Sequence, residues 1–142
     1  MLKTTLVMRL GHQGVKINEL FKDAREEAKL AGKLLACCFA LRYPFPSQSL
    51  SIMGFSLGCQ VTKTCLKTLN SLQANSLIQN VSFLAGAMSK LDKNARSKAF
   101  WGNIFSQTVN GQVRNVYTTK DFILILFSIS QLRSSAGRDC CL

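Results

Sequence analysis

Three short apolar runs, at residues 50–53, 80–85 and 113–117, alternate along the chain with stretches whose apolar residues recur every three or four positions. The runs have the length of buried strands and the periodic stretches have the length of helices. The expected order is helix, strand, helix, strand, helix, strand, helix. Alternation of this kind implies an α/β fold: parallel strands joined by right-handed crossovers, with helices on both faces of the sheet. The first helix is expected from Asn18, which can cap it, with Glu19 and Asp23 near its positive end. Leu20, Ala24, Ala28, Ala31, Leu34, Cys38 and Leu41 form its expected apolar stripe, and Tyr43-Pro44-Phe45-Pro46 ends it. Residues 59–72 should place Val61, Cys65, Leu66 and Leu69 inward, and residues 99–109 should carry Phe100, Trp101, Ile104 and Phe105 on a third helix. Residues 122–132 read as a fourth helix. Residues 1–17, broken by Gly11 and Gly14, are assigned no element. The division is therefore an N-terminal segment at 1–17, an α/β domain at 18–133 and a tail at 134–142.

Composition narrows the function. With 142 residues, 47% hydrophobic and 18% charged, the chain can bury a core and is not a disordered tail. A multidomain enzyme does not fit this length. The single histidine, His12, excludes any catalytic scheme that draws two histidines from this chain. Six cysteines occur, at 37, 38, 59, 65, 140 and 141. The two adjacent pairs cannot act as Cys-x-x-Cys clamps and no histidine lies near them, so no metal site is expected and the thiols read as reduced. The N-terminus lacks the long apolar run and small-residue cleavage site of a signal peptide. The longest apolar run, residues 122–127, is about a third of a bilayer span, so no transmembrane segment is expected in this chain and a cytoplasmic or membrane-associated location follows. Asp139 occupies the fourth position from the end, where a prenylation box needs cysteine. The sequon Asn80-Val81-Ser82 falls in an expected buried strand.

Lys+Arg number 18 against 7 Asp+Glu, a net charge of +11. The basic residues are dispersed and lack aromatic interleaving, so nucleic acid is not an expected partner. Lys63 and Lys67 share a helix face, and Lys90, Lys93, Arg96 and Lys98 form the densest group. The charge suits either a solvated surface or adhesion to anionic lipid headgroups, which makes a membrane surface the expected partner of the sharper reading.

Gly54-Phe55-Ser56-Leu57-Gly58 is a Gly-x-Ser-x-Gly pentapeptide between an expected strand and an expected helix. A sharp strand-to-helix turn exposes such a serine, and the flanking glycines, Gly54 and Gly58, remove side chains from a crowded turn. The Leu57 backbone N–H is placed to donate to an oxyanion near the positive end of the helix. An ordinary glycine-bounded turn is the competing reading. Asp121 follows the third strand, at the same end of a parallel sheet as Ser56, and suits the acid of a Ser–acid–His order. It suits equally the N-cap of a following helix. No histidine follows it. His12 precedes the nucleophile and breaks the chain order, so it is read as a structural or surface residue. The sequence has no Gly-x-Gly-x-x-Gly, and Cys59-Gln60 stands where a phosphate loop needs Lys-Ser/Thr, so no cofactor is expected.

Four blocks carry a family resemblance. Leu50-Ser-Ile-Met-Gly-Phe-Ser-Leu-Gly-Cys-Gln-Val61 resembles the elbow block of the domain of unknown function 726 family, whose members include transmembrane and coiled-coil domain-containing proteins. Phe21-Lys-Asp-Ala-Arg-Glu-Glu-Ala-Lys-Leu-Ala-Gly-Lys-Leu-Leu35 resembles its preceding helix. Ile78-Gln-Asn-Val-Ser-Phe-Leu-Ala-Gly-Ala87 resembles its next strand, with Met88 where proline is frequent. Gly111-Gln-Val-Arg-Asn-Val-Tyr-Thr-Thr-Lys-Asp121 is similar to its acid-bearing segment, with Gln112 where arginine is common. The resemblance implies an α/β-hydrolase-like domain of a membrane-associated family, with Ser56 as nucleophile, Asp121 as acid and a triad histidine missing from this chain. It implies a serine hydrolase of esterase, lipase or thioesterase type acting on an acyl or lipid ester, truncated relative to the whole fold. The alternative is a non-catalytic hydrolase-like module that binds a protein partner or a membrane surface.

Overall fold

The computed structural model describes residues 2–44, 46–88 and 98–118, with side chains described from residue 19 in the first helix and residue 100 in the third. Six elements follow in order: α1 (Leu2–Ala40), β1 (Leu50–Phe55), α2 (Gly58–Ser71), β2 (Ile78–Leu84), α3 (Lys98–Thr108) and β3 (Val113–Val116). The strands form one sheet in the order β1-β2-β3, and both pairs are parallel. The chain is thus a partial α/β fold of parallel strands alternating with helices. The expected helix at 122–132, Asp121 and the tail lie outside the described residues.

The strands hold because their alternate residues enter one core. Ile78, Val81 and Phe83 of β2 are fully buried with Leu66 and Leu69 of α2 and Ile104 of α3. Gly54 of β1 lies against the first turn of α2, while its register partner Phe83 meets Phe105 of α3 with ring centroids 6.5 Å apart. Register partners in a parallel pair share a face, so α2 and α3 lie on the same side of the sheet. Two cation–π contacts join these helices, with Lys63 Nζ 5.1 Å from the Trp101 ring and Lys67 Nζ 5.8 Å from the Phe100 ring. On the opposite face Met53, Phe55 and Val116 are 73%, 69% and 53% exposed.

α1 differs from expectation in two respects. It begins at Leu2 rather than at Asn18, which lies inside it. Interior glycine costs a helix only about 1 kcal/mol relative to alanine, so Gly11 and Gly14 do not stop a run otherwise rich in Leu, Lys, Met, Arg and Gln. The buried stripe is also rotated. Leu20, Leu34 and Leu41 are exposed, while Ala28, Gly32 and Ala36 face α2. The cause is the closeness of the helix contact: a Cβ on Gly32 would lie 2.5 Å from the Val61 carbonyl oxygen and 2.8 Å from Thr64 Cβ. Only small residues fit that line, so contact distance overrides hydrophobicity. Leu35 and Phe39 then pack beside it on the core.

Candidate functional site

The pentapeptide occupies the turn between β1 and α2. β1 runs through Gly54 and Phe55, two residues beyond the expected strand end, because these pair with Phe83 and Leu84 of β2. Ser56 then adopts φ 49°, the left-handed region that a side chain disfavours by about 1–2 kcal/mol. Three hydrogen bonds hold it there. Its N–H donates to the Leu84 carbonyl at 2.9 Å, and its carbonyl accepts from the N–H groups of Cys59 and Ala87, each at 3.1 Å. The loop after β2, Ala85 to Met88, is thereby fastened to the serine, and Ala85 is itself at φ 46°.

The two glycines play unequal parts. A Cβ on Gly54 would lie 2.8 Å from Thr62 Oγ1, 2.9 Å from the Gly58 carbonyl oxygen and 3.0 Å from Cys59 Cα. β1 and α2 can approach this closely only with glycine at 54. Gly58 has open space where its Cβ would be, so crowding explains Gly54 and not Gly58. Leu57 is the N-cap residue of α2, at φ −67° and ψ −24°, with no side-chain cap. Its N–H stands at the positive end of that helix, where negative charge is stabilised.

Directly beneath the turn, Cys59 Sγ lies 3.1 Å from the Gly54 carbonyl oxygen and 3.4 Å from that of Leu84. Its single proton is shared between carbonyls at the ends of β1 and β2. Burial pushes this thiol's pKa up, partly opposed by the bond to Leu84. Sequence reasoning read Cys59 only as a reduced thiol, and its position directly after Gly58 was the available signal for more. Cys65 is buried too, and burial, reinforced by the neighbouring Cys37, pushes its thiol up to about 12. Cys37, Cys38, Cys59 and Cys65 are all free thiols.

Register fixes what faces Ser56. Phe55, Leu84 and Val116 align across the sheet, and the Ala85 N–H donates to the Val116 carbonyl at 3.0 Å. The chain therefore leaves β3, at Tyr117-Thr118, at the same end of the sheet as Ser56, two strands away. Asp121 follows three residues later, outside the described residues. His12 lies in α1, its side chain also outside the description. Among the described residues no group of three His, Cys, Asp or Glu could hold a metal ion.

The fold and this turn define a parallel α/β domain built around a strand–serine–helix elbow. The chain belongs to the family described as "Protein of unknown function (DUF726)", whose model matches residues 4–136. It is similar to a Schizosaccharomyces pombe protein named as an uncharacterized membrane protein, with 29% identity over 111 residues. That match takes in 78% of this chain and 13% of the relative, so the chain spans a small part of the relative's length. No solved structure matches the chain. No helix among the described residues is long and apolar enough to cross a membrane.

Proposed function

We propose that this chain carries the nucleophile portion of a membrane-associated serine hydrolase acting on acyl or lipid esters. The observation that supports this reading best is Ser56 at φ 49°, held between a parallel strand and a helix with Gly54 admitting no side chain. A left-handed non-glycine residue costs free energy, and such strain concentrates at functional positions. In this reading Ser56 Oγ attacks the acyl carbonyl while a histidine accepts its proton. The Leu57 N–H donates to the oxyanion, and the histidine returns the proton to the departing alkoxide. Water then releases the acid by the same steps. Asp121 orients that histidine from beyond β3. Since His12 precedes the nucleophile, the reading takes its base from outside these 142 residues.

The test is fluorophosphonate labelling of the protein from its native source beside Ser56→Ala. Labelling of the native protein that disappears in Ser56→Ala is expected. Labelling that survives the substitution rejects Ser56 as nucleophile, and no labelling of either supports the non-catalytic module instead.

A further inference from the structure

The groove between α1 and α2 is lined by two lysine pairs facing each other. Lys29 and Lys33 stand one turn apart on α1, and Lys63 and Lys67 one turn apart on α2. Gln60, Thr64, Thr68 and Ser71 complete the lining, which encloses about 410 Å³. That volume lies within the range of small-ligand clefts.

Three features distinguish this groove from a solvated basic surface. Lys63 is only 6% exposed, and its ammonium is fixed over Trp101, as that of Lys67 is over Phe100. Lysine loses considerable side-chain entropy when ordered, and here that loss is taken before any ligand arrives. The hydroxyls are fixed also. Thr64 Oγ1 donates to the Gln60 carbonyl at 2.9 Å and accepts from Gln60 Nε2 at 3.2 Å, and Thr68 Oγ1 donates to the Thr64 carbonyl at 3.0 Å. A threonine hydroxyl that donates to its own helix keeps its acceptor side for other donors, so these groups set the groove's shape more than they bind anions. Finally, among the described residues the lining carries four lysines and no carboxylate. The nearby exposed Glu26 accepts from Lys29 at 2.6 Å. A polyphosphate would bring negative charge to a lining whose charged side chains are basic.

We infer that the α1–α2 groove, through Lys29, Lys33, Lys63 and Lys67, binds a small anion bearing two or more phosphate groups. Lysine is a point-charge binder of phosphate, and two facing pairs suit two phosphates better than one carboxylate. A phosphorylated lipid headgroup and a soluble polyphosphate ester offer the same chemistry. The proposal rests on the groove's own residues and does not depend on the hydrolase reading.

The experiment is calorimetry and equilibrium binding on the full chain at two salt concentrations. The probes are inorganic pyrophosphate, inositol hexakisphosphate, and vesicles with or without a lipid carrying a bisphosphorylated headgroup. Binding that weakens tenfold or more in Lys33→Gln/Lys67→Gln is expected. Lys29→Gln/Lys33→Gln should weaken it comparably without disturbing the ring contacts of α2. Arg42→Gln/Arg114→Gln removes the same charge elsewhere on the exposed surface and should change binding less than twofold. Preference for the soluble probes assigns a soluble ligand, and preference for the phosphorylated vesicles assigns a headgroup. Equal weakening by the groove and control pairs would mean that the +11 charge acts as a diffuse field and overturns the site, as would binding of none of the probes.

Discussion

Substituting alanine at Gly54 and at Gly58 should change stability in opposite directions. At Gly54 the new Cβ would meet Thr62 Oγ1 at 2.8 Å, the Gly58 carbonyl oxygen at 2.9 Å and Cys59 Cα at 3.0 Å. Two of these are backbone atoms of the first turn of α2, which can yield only if the helix moves off β1. Overpacking of this kind costs about 1–3 kcal/mol. At Gly58 nothing lies within 4 Å, and the residue is not in the positive-φ region. Alanine at a helical position gains about 0.5–1 kcal/mol over glycine. Urea unfolding of the full chain measures both. With a slope of about 1–3 kcal/mol per molar, Gly54→Ala should lower the midpoint by about 1 M and Gly58→Ala should raise it by a few tenths. Equal destabilisation by both would refute the reasoning, because crowding at the turn would then not be confined to Gly54.

Ser56→Gly should stabilise the chain by up to about 1 kcal/mol by relieving the strain at φ 49°, measured by the same unfolding; a loss of stability would show the turn unstrained. Phe83→Ala should cost about 3–5 kcal/mol because Phe83 is fully buried, whereas Phe55→Ser should cost below about 0.5 kcal/mol at a site 69% exposed; thermal melts compare them, and similar losses would mean that Phe55 is covered. The Cys65 thiol sits at about 12 when folded against 9.0 ordinarily, so its contribution to stability is full below pH 9 and is lost as pH rises from 9 towards 12. Thiol titration at pH 9 should therefore modify exposed Cys37 quickly and Cys65 only after denaturant is added, and fast labelling of folded Cys65 would contradict this burial.

Much of the architecture was legible because its strands are short apolar runs with simple spacing. β2 was readable from Val81 and Phe83, and the elbow from a serine between two glycines after an apolar run. α2 was only partly readable. Cys65, Leu66 and Leu69 face inward as expected and Val61 is only half-buried, while Cys59 and Thr62 are buried as well, since this helix is covered by α1, α3 and β1 together. The α1 stripe was misread because periodicity ranks side chains by hydrophobicity, whereas the contact at Gly32 selects them by size. Ala28-x-x-x-Gly32-x-x-x-Ala36 was the signal for it. The lysine groove was half legible: Lys63 and Lys67 were visible on one face, but nothing local sets Lys29 and Lys33 opposite them.

The sequence by itself determined the class of fold, the order of elements and the serine turn, because periodicity, apolar runs and glycine spacing act over a few residues. Tertiary structure decided the strained backbone at Ser56, the distances that make Gly54 obligatory and Gly58 replaceable, and the closeness of α1 to α2. These depend on atoms brought together from distant positions, such as Thr62 against Gly54 and Ala87 against Ser56. The convergence of four lysines on one groove is of the same kind, since charge counted along a chain carries no record of which helices will pack side by side.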